Sequence, residues 1–436
     1  MNGRHMKAYT ESPTGRLSRV FVGLAFANFL VGASLGGWMA VQPLSWARIG
    51  MIHAEINPFG WLTMLIYGMT YAVLAISAGL RPPKAWVGWI HMACAELAIA
   101  LTVCGVLYGW RLGLVLGLTL QCVAPVIFLA NILLSVAARE RLRSMSERVD
   151  KGEQYTSLTP VLASLGRSPQ FQGTDRIGQR GTDISLMLFL VGTGWMIGSV
   201  IRSPSTTMPT TPASEFLVYY GWIGGAIFAV SLHLFPRFMK VRLGGRLANS
   251  LQHIWVAAIV CGVAGEFFDE VISHIASRIL GAVIVIYGAM YLLASLVCKP
   301  TMTGVYPPRA SRIAWIAAWT FCVTLGVALI CGVNPFSLLA LHLLFLGFAT
   351  NLVYGIGYML FPHLLRRQPP GHVISLAQIS CSILGSLLMV VAFGGLQFGF
   401  PGHTFPLLAA GGSLAWGGAL GFILIWVFAL VRSQKA

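Results

Sequence analysis

HAEINPFGWLTMLIYGMTY, residues 53–71, opens with an imidazole, a carboxylate, an amide and a proline, and then continues without a charge. Such a run reads as a helix crossing a bilayer, which takes roughly 20 predominantly apolar residues. The pattern recurs along the chain. Of its 436 residues 56% are hydrophobic and 10% charged, with a mean hydropathy of +0.76. That balance leaves too little polar surface to cover a soluble domain. Twelve spans are expected, over 20–41, 54–79, 86–108, 112–137, 184–202, 215–236, 249–268, 278–298, 313–332, 336–362, 372–395 and 405–431.

The expected fold is therefore an all-α polytopic membrane protein. It has an N-terminal tail over 1–19, four helices within 20–137, a polar loop over 138–183, eight helices within 184–431 and a C-terminal tail over 432–436. The loop is rich in charges, Ser, Gly and Gln and reads as solvated. The first apolar run is too long for a signal-peptide core and reads as a retained anchor.

The net charge of +16 would point to nucleic acid in a soluble chain, but the placement of the bases argues otherwise. With a cytoplasmic N-terminus, all but four of the 29 lysines and arginines fall on cytoplasmic segments, the exceptions being Arg48, Arg111, Arg202 and Arg278. That is the positive-inside asymmetry, and it puts both termini on the cytoplasmic side. The eight cysteines, Cys94 to Cys381, lie in the expected helices without CxxC spacing, so neither a disulfide frame nor a zinc site is indicated. No Walker loop, dinucleotide fingerprint, HExxH or nucleophile elbow is present in a fitting context.

Expected helices two, six and ten share a pattern when aligned on Gly60-Trp61, Gly221-Trp222 and Gly347-Phe348. Eight residues on come Gly68 and Gly355, preceded by Tyr67 and Tyr354; Tyr71 and Tyr358 follow at eleven. Helices six and ten also end alike, HLFPRFMK at 233–240 and YMLFPHLL at 358–365. A repeat at every fourth helix predicts three four-helix units around a pseudo-threefold axis.

Ionisable groups inside a membrane are costly and tend to be functional. Of the ten histidines, His5 is in the tail and His274 and His403 are in outer loops. His91, His233, His253, His363 and His372 are expected near cytoplasmic helix ends, where an interfacial imidazole needs no special reason. His53 and His342 remain, near the outer ends of two lead helices. Two imidazoles approaching from different helices are what a six-coordinate haem iron needs.

The segment at 53–71 resembles helix two of the haem-copper oxidase catalytic subunit, above all its cbb-type branch and the nitric-oxide-response membrane haem-copper proteins. HLLFLGFATNLVYGIGYMLFP, residues 342–362, is similar to helix ten of that superfamily. The resemblance covers the architecture of most of the chain but few identical positions. It implies that His53 and His342 hold the iron of one low-spin haem b. The family's high-spin haem ligand falls on Ala340, and its copper ligands on Phe216, Phe267 and Phe268, the last two within Ala264-Gly265-Glu266-Phe267-Phe268.

No copper and no oxygen-reducing centre are then expected. The resemblance implies an electron-transfer or nitric-oxide-related membrane cytochrome, at most an oxidoreductase subunit, working with a redox partner protein or other membrane subunits in a bacterial inner membrane. Two other readings stay open. Twelve spans with internal repeats also describe secondary transporters, with Glu96, Glu266 and the inner histidines as coupling sites. A cofactor-free membrane subunit or assembly factor is the third. The acids Glu266, Asp269 and Glu270 are expected to face water or to pair with Arg278 or Arg202, and Glu55 has the choice of tuning the site beside it. The 13 tryptophans are expected mostly at the interfaces, Trp38, Trp86, Trp110 and Trp426 among them.

Overall fold

A computed structural model describes residues 13–42, 46–78, 83–146, 171–202, 211–239, 245–297, 308–365, 367–400, 402 and 404–431. Among these no strand occurs. The helices are α1 (Pro13–Val41), α2 (46–78), α3 (Ala85–Tyr108), α4 (Arg111–Ser146), α5 (Gln172–Arg202) and α6 (Pro212–Met239). They continue as α7 (Gly245–Phe268), α8 (Glu270–Leu296), α9 (Arg309–Ile330), α10 (Leu338–Leu365), α11 (His372–Gln397) and α12 (Thr404–Val431).

Eleven of these helices are long and apolar enough to cross a membrane. The twelfth expected span falls in α2, which is helical throughout its described length but is not among the eleven. Three boundaries differ from expectation. α1 begins at Pro13, inside the expected tail. The expected loop over 138–183 is cut from both ends, because α4 runs on to Ser146 and α5 starts at Gln172. Hydropathy marks where a chain leaves the apolar layer, whereas a helix stops only where its residues stop favouring it. The Ala, Arg, Glu and Leu of AARERLRS at 137–144 are good helix formers. His5, His403, Cys298 and the C-terminal tail lie outside the described residues.

The chain forms two compact units. One comprises Met1–Phe29, Ala54–Gln172 and Thr193–Pro209, the other Leu30–His53, Gly173–Gly192 and Thr210–Ala436. In the second, α8 and α9 cross where Gly281 and Gly326 meet. A Cβ at either position would sit 2.6 Å from the other's backbone oxygen. Membrane helices associate through such close backbone approach, because apolar burial gives them little reason to leave lipid.

The three lead helices α2, α6 and α10 carry the same local deformation. Each contains a π-helical stretch: Ile56–Thr63, Phe216–Gly224 and Leu343–Thr350. Each stretch ends three residues after the aligned glycine, Gly60, Gly221 or Gly347. Thr63 and Thr350 occupy the same register, and both donate their hydroxyl five residues back, to Pro58 O at 2.8 Å and Phe345 O at 2.7 Å. The residue after each glycine packs on an aromatic of the preceding helix: Trp61 stacks on Phe29 and Trp222 on Phe189, while Phe348 meets Trp319 at a tilt of 49°. The glycines themselves face Asn28, Leu188 and Phe321 of those helices. π turns are rare and concentrate at functional positions, so their threefold recurrence in one register marks a structural repeat.

The tryptophans divide. Trp38, Trp86 and Trp110 are exposed as expected, but Trp426, Trp61, Trp222, Trp315 and Trp319 are buried. The last four belong to or pack on the lead helices, where large flat rings fill the space opened by glycine.

Candidate paired-histidine site

α2 supplies His53 and α10 supplies His342, both within the second unit. Each side chain stands just before a π stretch, which begins at Ile56 in one helix and at Leu343 in the other. Both sit deep among protein atoms, yet both keep part of their surface accessible.

The two rings are oriented in the same way. His53 Nδ1 lies 2.8 Å from Gly32 O on α1, and His342 Nδ1 lies 2.7 Å from Leu338 O one turn back on its own helix. A carbonyl can only accept, so Nδ1 carries the proton in each ring and the lone pair resides on Nε2. Fixing the tautomer through the second nitrogen is how histidine ligands are held. Gly36, one turn beyond Gly32, lets the first ring lie against α1: a Cβ at Gly36 would stand 2.7 Å from His53 Cε1. Phe393 of α11 covers the second ring at a centroid distance of 4.2 Å.

Two imidazoles are too few for a bare metal ion, which takes three or four protein ligands. A porphyrin brings four nitrogens of its own and needs two axial donors, so this donor set fits haem iron. Among the described residues no group of three His, Cys, Asp or Glu side chains gathers to hold a metal.

The positions counted as lost ligands fall differently. Ala340 is fully buried in the first turn of α10, where Ser337 accepts its N–H. Phe216 is also fully buried, against Tyr220, Phe336 and the bare face of Gly262. Phe267 and Phe268 do not fill interior space: they are 57% and 80% exposed at the end of α7. The inward positions of that turn are Gly262 and Gly265.

The acids at that corner are helix-end groups. Glu266 accepts from the Ala213 N–H at the start of α6, Asp269 caps α8 by accepting from Val271 N at 2.9 Å, and Glu270 lies 3.5 Å from His274. Among the described residues none of them pairs with Arg278 or Arg202. Glu55 turns into the first unit, where it is fully buried and accepts from the Gln121 amide, leaving Oε2 without a partner.

His91 departs most from expectation. It is fully buried rather than interfacial, ringed by Phe21, Tyr67, Tyr71 and Phe128, with Nδ1 3.1 Å from Tyr71 Oη. The same contact recurs in α10 and α11, where Tyr358 Oη donates to Gln378 Oε1 at 2.8 Å across the same separation of 20 residues. The repeat was therefore the available signal for burying His91. His233 and Arg237 of α6 both bond Asp175 of α5, at 2.9 Å and 2.8 Å, which ties the C-terminal part of α6 to the N-terminal part of α5.

Comparison with protein-family models and with curated proteins gives no match for this chain.

Proposed function

We propose that the chain is a membrane b-type haem protein built on the haem-copper oxidase subunit I plan, holding one low-spin haem between His53 and His342. The observation that carries this reading is the pairing itself. Two imidazoles from separate helices belong to one compact unit, and a backbone carbonyl at Nδ1 presents each Nε2 as the coordinating atom. The repeated π turns support three four-helix units, with α2 as the twelfth span.

A haem closed on both faces supplies one-electron exchange and offers no position for a substrate. The protein's own part is to hold the two ligands at fixed orientation, keep water from the macrocycle and set its apolar surroundings. Its role is electron transfer between a quinone or a redox partner protein and another membrane subunit, not reduction of oxygen. The buried Phe216 and Ala340, standing where copper and high-spin haem ligands would be needed, support that limit. The basic asymmetry supports a bacterial inner membrane location with both termini cytoplasmic.

The optical spectrum of the purified protein tests this reading. A reduced low-spin b-type spectrum, insensitive to carbon monoxide and lost in His53→Ala and His342→Ala, is expected. A colourless, correctly folded protein would refute haem binding and leave the transporter and cofactor-free readings. A large carbon monoxide shift would refute the closed coordination.

A further inference from the structure

Glu96 stands near the middle of α3, a helix of 24 residues that otherwise carries no acidic or basic residue except His91. A carboxylate at that depth is expensive unless something answers it. The partner is an amide: Asn28 Nδ2 of α1 lies 3.2 Å and 3.4 Å from the two Glu96 oxygens and also donates to Gly60 O at 3.1 Å. Gly60 is the aligned glycine inside the π stretch of α2, and its bare face is what lets Asn28 approach; a Cβ there would meet the Asn28 side chain at 3.1 Å. All three residues lie in the first unit.

Packing does not call for this arrangement. The structural counterparts of Asn28, facing the other two aligned glycines, are Leu188 and Phe321. Glu96 stands five residues after His91, and the position five residues after Gln378, its counterpart in the tyrosine contact, is Ile383. Two of the three repeats therefore set an apolar side chain against the aligned glycine. Only the first places an amide there, with a carboxyl beside it, at the cost of taking both from water.

No ion pair reaches Glu96 among the described residues. The titratable groups on the elements around it are engaged elsewhere: Glu55 with Gln121, and His91 with Tyr71. Among the described residues no second carboxylate or other ligating group gathers with Glu96 to make the set that holds a metal cation. Glu96 keeps part of its surface accessible and can exchange with its surroundings.

We propose that Glu96, held by Asn28 against the π turn of α2, is a proton-binding site in the membrane interior. It would bind a proton as the neutral acid and release it as the carboxylate steadied by the Asn28 amide. This inference stands apart from the haem reading and survives its failure.

The test is labelling of the full-length protein in lipid vesicles with a hydrophobic carbodiimide, which attacks only protonated carboxyls, followed by peptide mapping. Glu96 is expected to be modified, with labelling falling about tenfold per pH unit above its half-maximal point. Glu96→Gln abolishes the label, and Asn28→Leu displaces the half-maximal pH. Failure of wild-type Glu96 to label, labelling that does not vary with pH, or an unchanged half-maximal pH in Asn28→Leu overturns the proposal. Protection by sodium at constant pH overturns it in favour of a cation site.

Discussion

Gly36→Ala is the most economical probe of the paired-histidine site, because it touches neither histidine chemically. The added methyl carbon would stand 2.7 Å from His53 Cε1. Carbon atoms in contact settle at about 3.5–4.0 Å, so the ring must yield by about 1 Å. It cannot do so while keeping its 2.8 Å bond to Gly32 O, since Gly32 and Gly36 lie on the same face of α1 one turn apart. Losing one net hydrogen bond costs about 0.5–1.5 kcal/mol, roughly a two- to tenfold loss in the population of rings that present Nε2 correctly. Haem affinity should fall by the same factor, with more lost in Gly36→Val.

Haem content per protein and the reduced-minus-oxidised spectrum report this directly, with electron paramagnetic resonance of the oxidised form reading the relative orientation of the two imidazoles. Gly23→Ala is the matched control on the same helix, because a Cβ there meets nothing within 4 Å. The reasoning is refuted if Gly36→Ala and Gly36→Val keep the haem content and the resonance positions of Gly23→Ala.

Two further outcomes follow from packing. Asp175→Asn leaves Arg237, whose side chain is 1% exposed, as an inadequately answered charge; breaking such a pair costs about 3–5 kcal/mol. Thermal stability in detergent should drop sharply and recover in the double variant Asp175→Asn with Arg237→Met; a single variant as stable as wild type would show the pair to be dispensable. Gly281→Val drives a side chain into the Gly326 backbone, which cannot rotate aside as a side chain can. Size-exclusion profiles of the tagged protein should show loss of the monodisperse peak, whereas Gly194→Val, with open space around it, should keep it.

Much of the fold was legible because a bilayer imposes one-dimensional rules. The long apolar runs and the glycine register of α2, α6 and α10 follow from spacing and hydropathy along the chain. The limits of that reading are equally physical. Hydropathy located the membrane crossings but not the helix ends at Ser146 and Gln172, because helices outlast the apolar layer. It put His91 at an interface, where position near a helix end outweighed the four rings that bury it.

The sequence alone determined that this chain spans a membrane, that its lead helices are related, and which two histidines stand apart from the rest. Only the tertiary structure decided which side chains face one another. A helix turns by about 100° per residue, so two residues are enough to carry the chain from the inward Gly265 to the exposed Phe267. For the same reason the π turns could not be read in advance: the extra residue they take up depends on what packs against Gly60, Gly221 and Gly347, and those partners come from other helices. Asn28 and Glu96, far apart in sequence, meet only in the folded chain, where Asn28 also bonds Gly60 O.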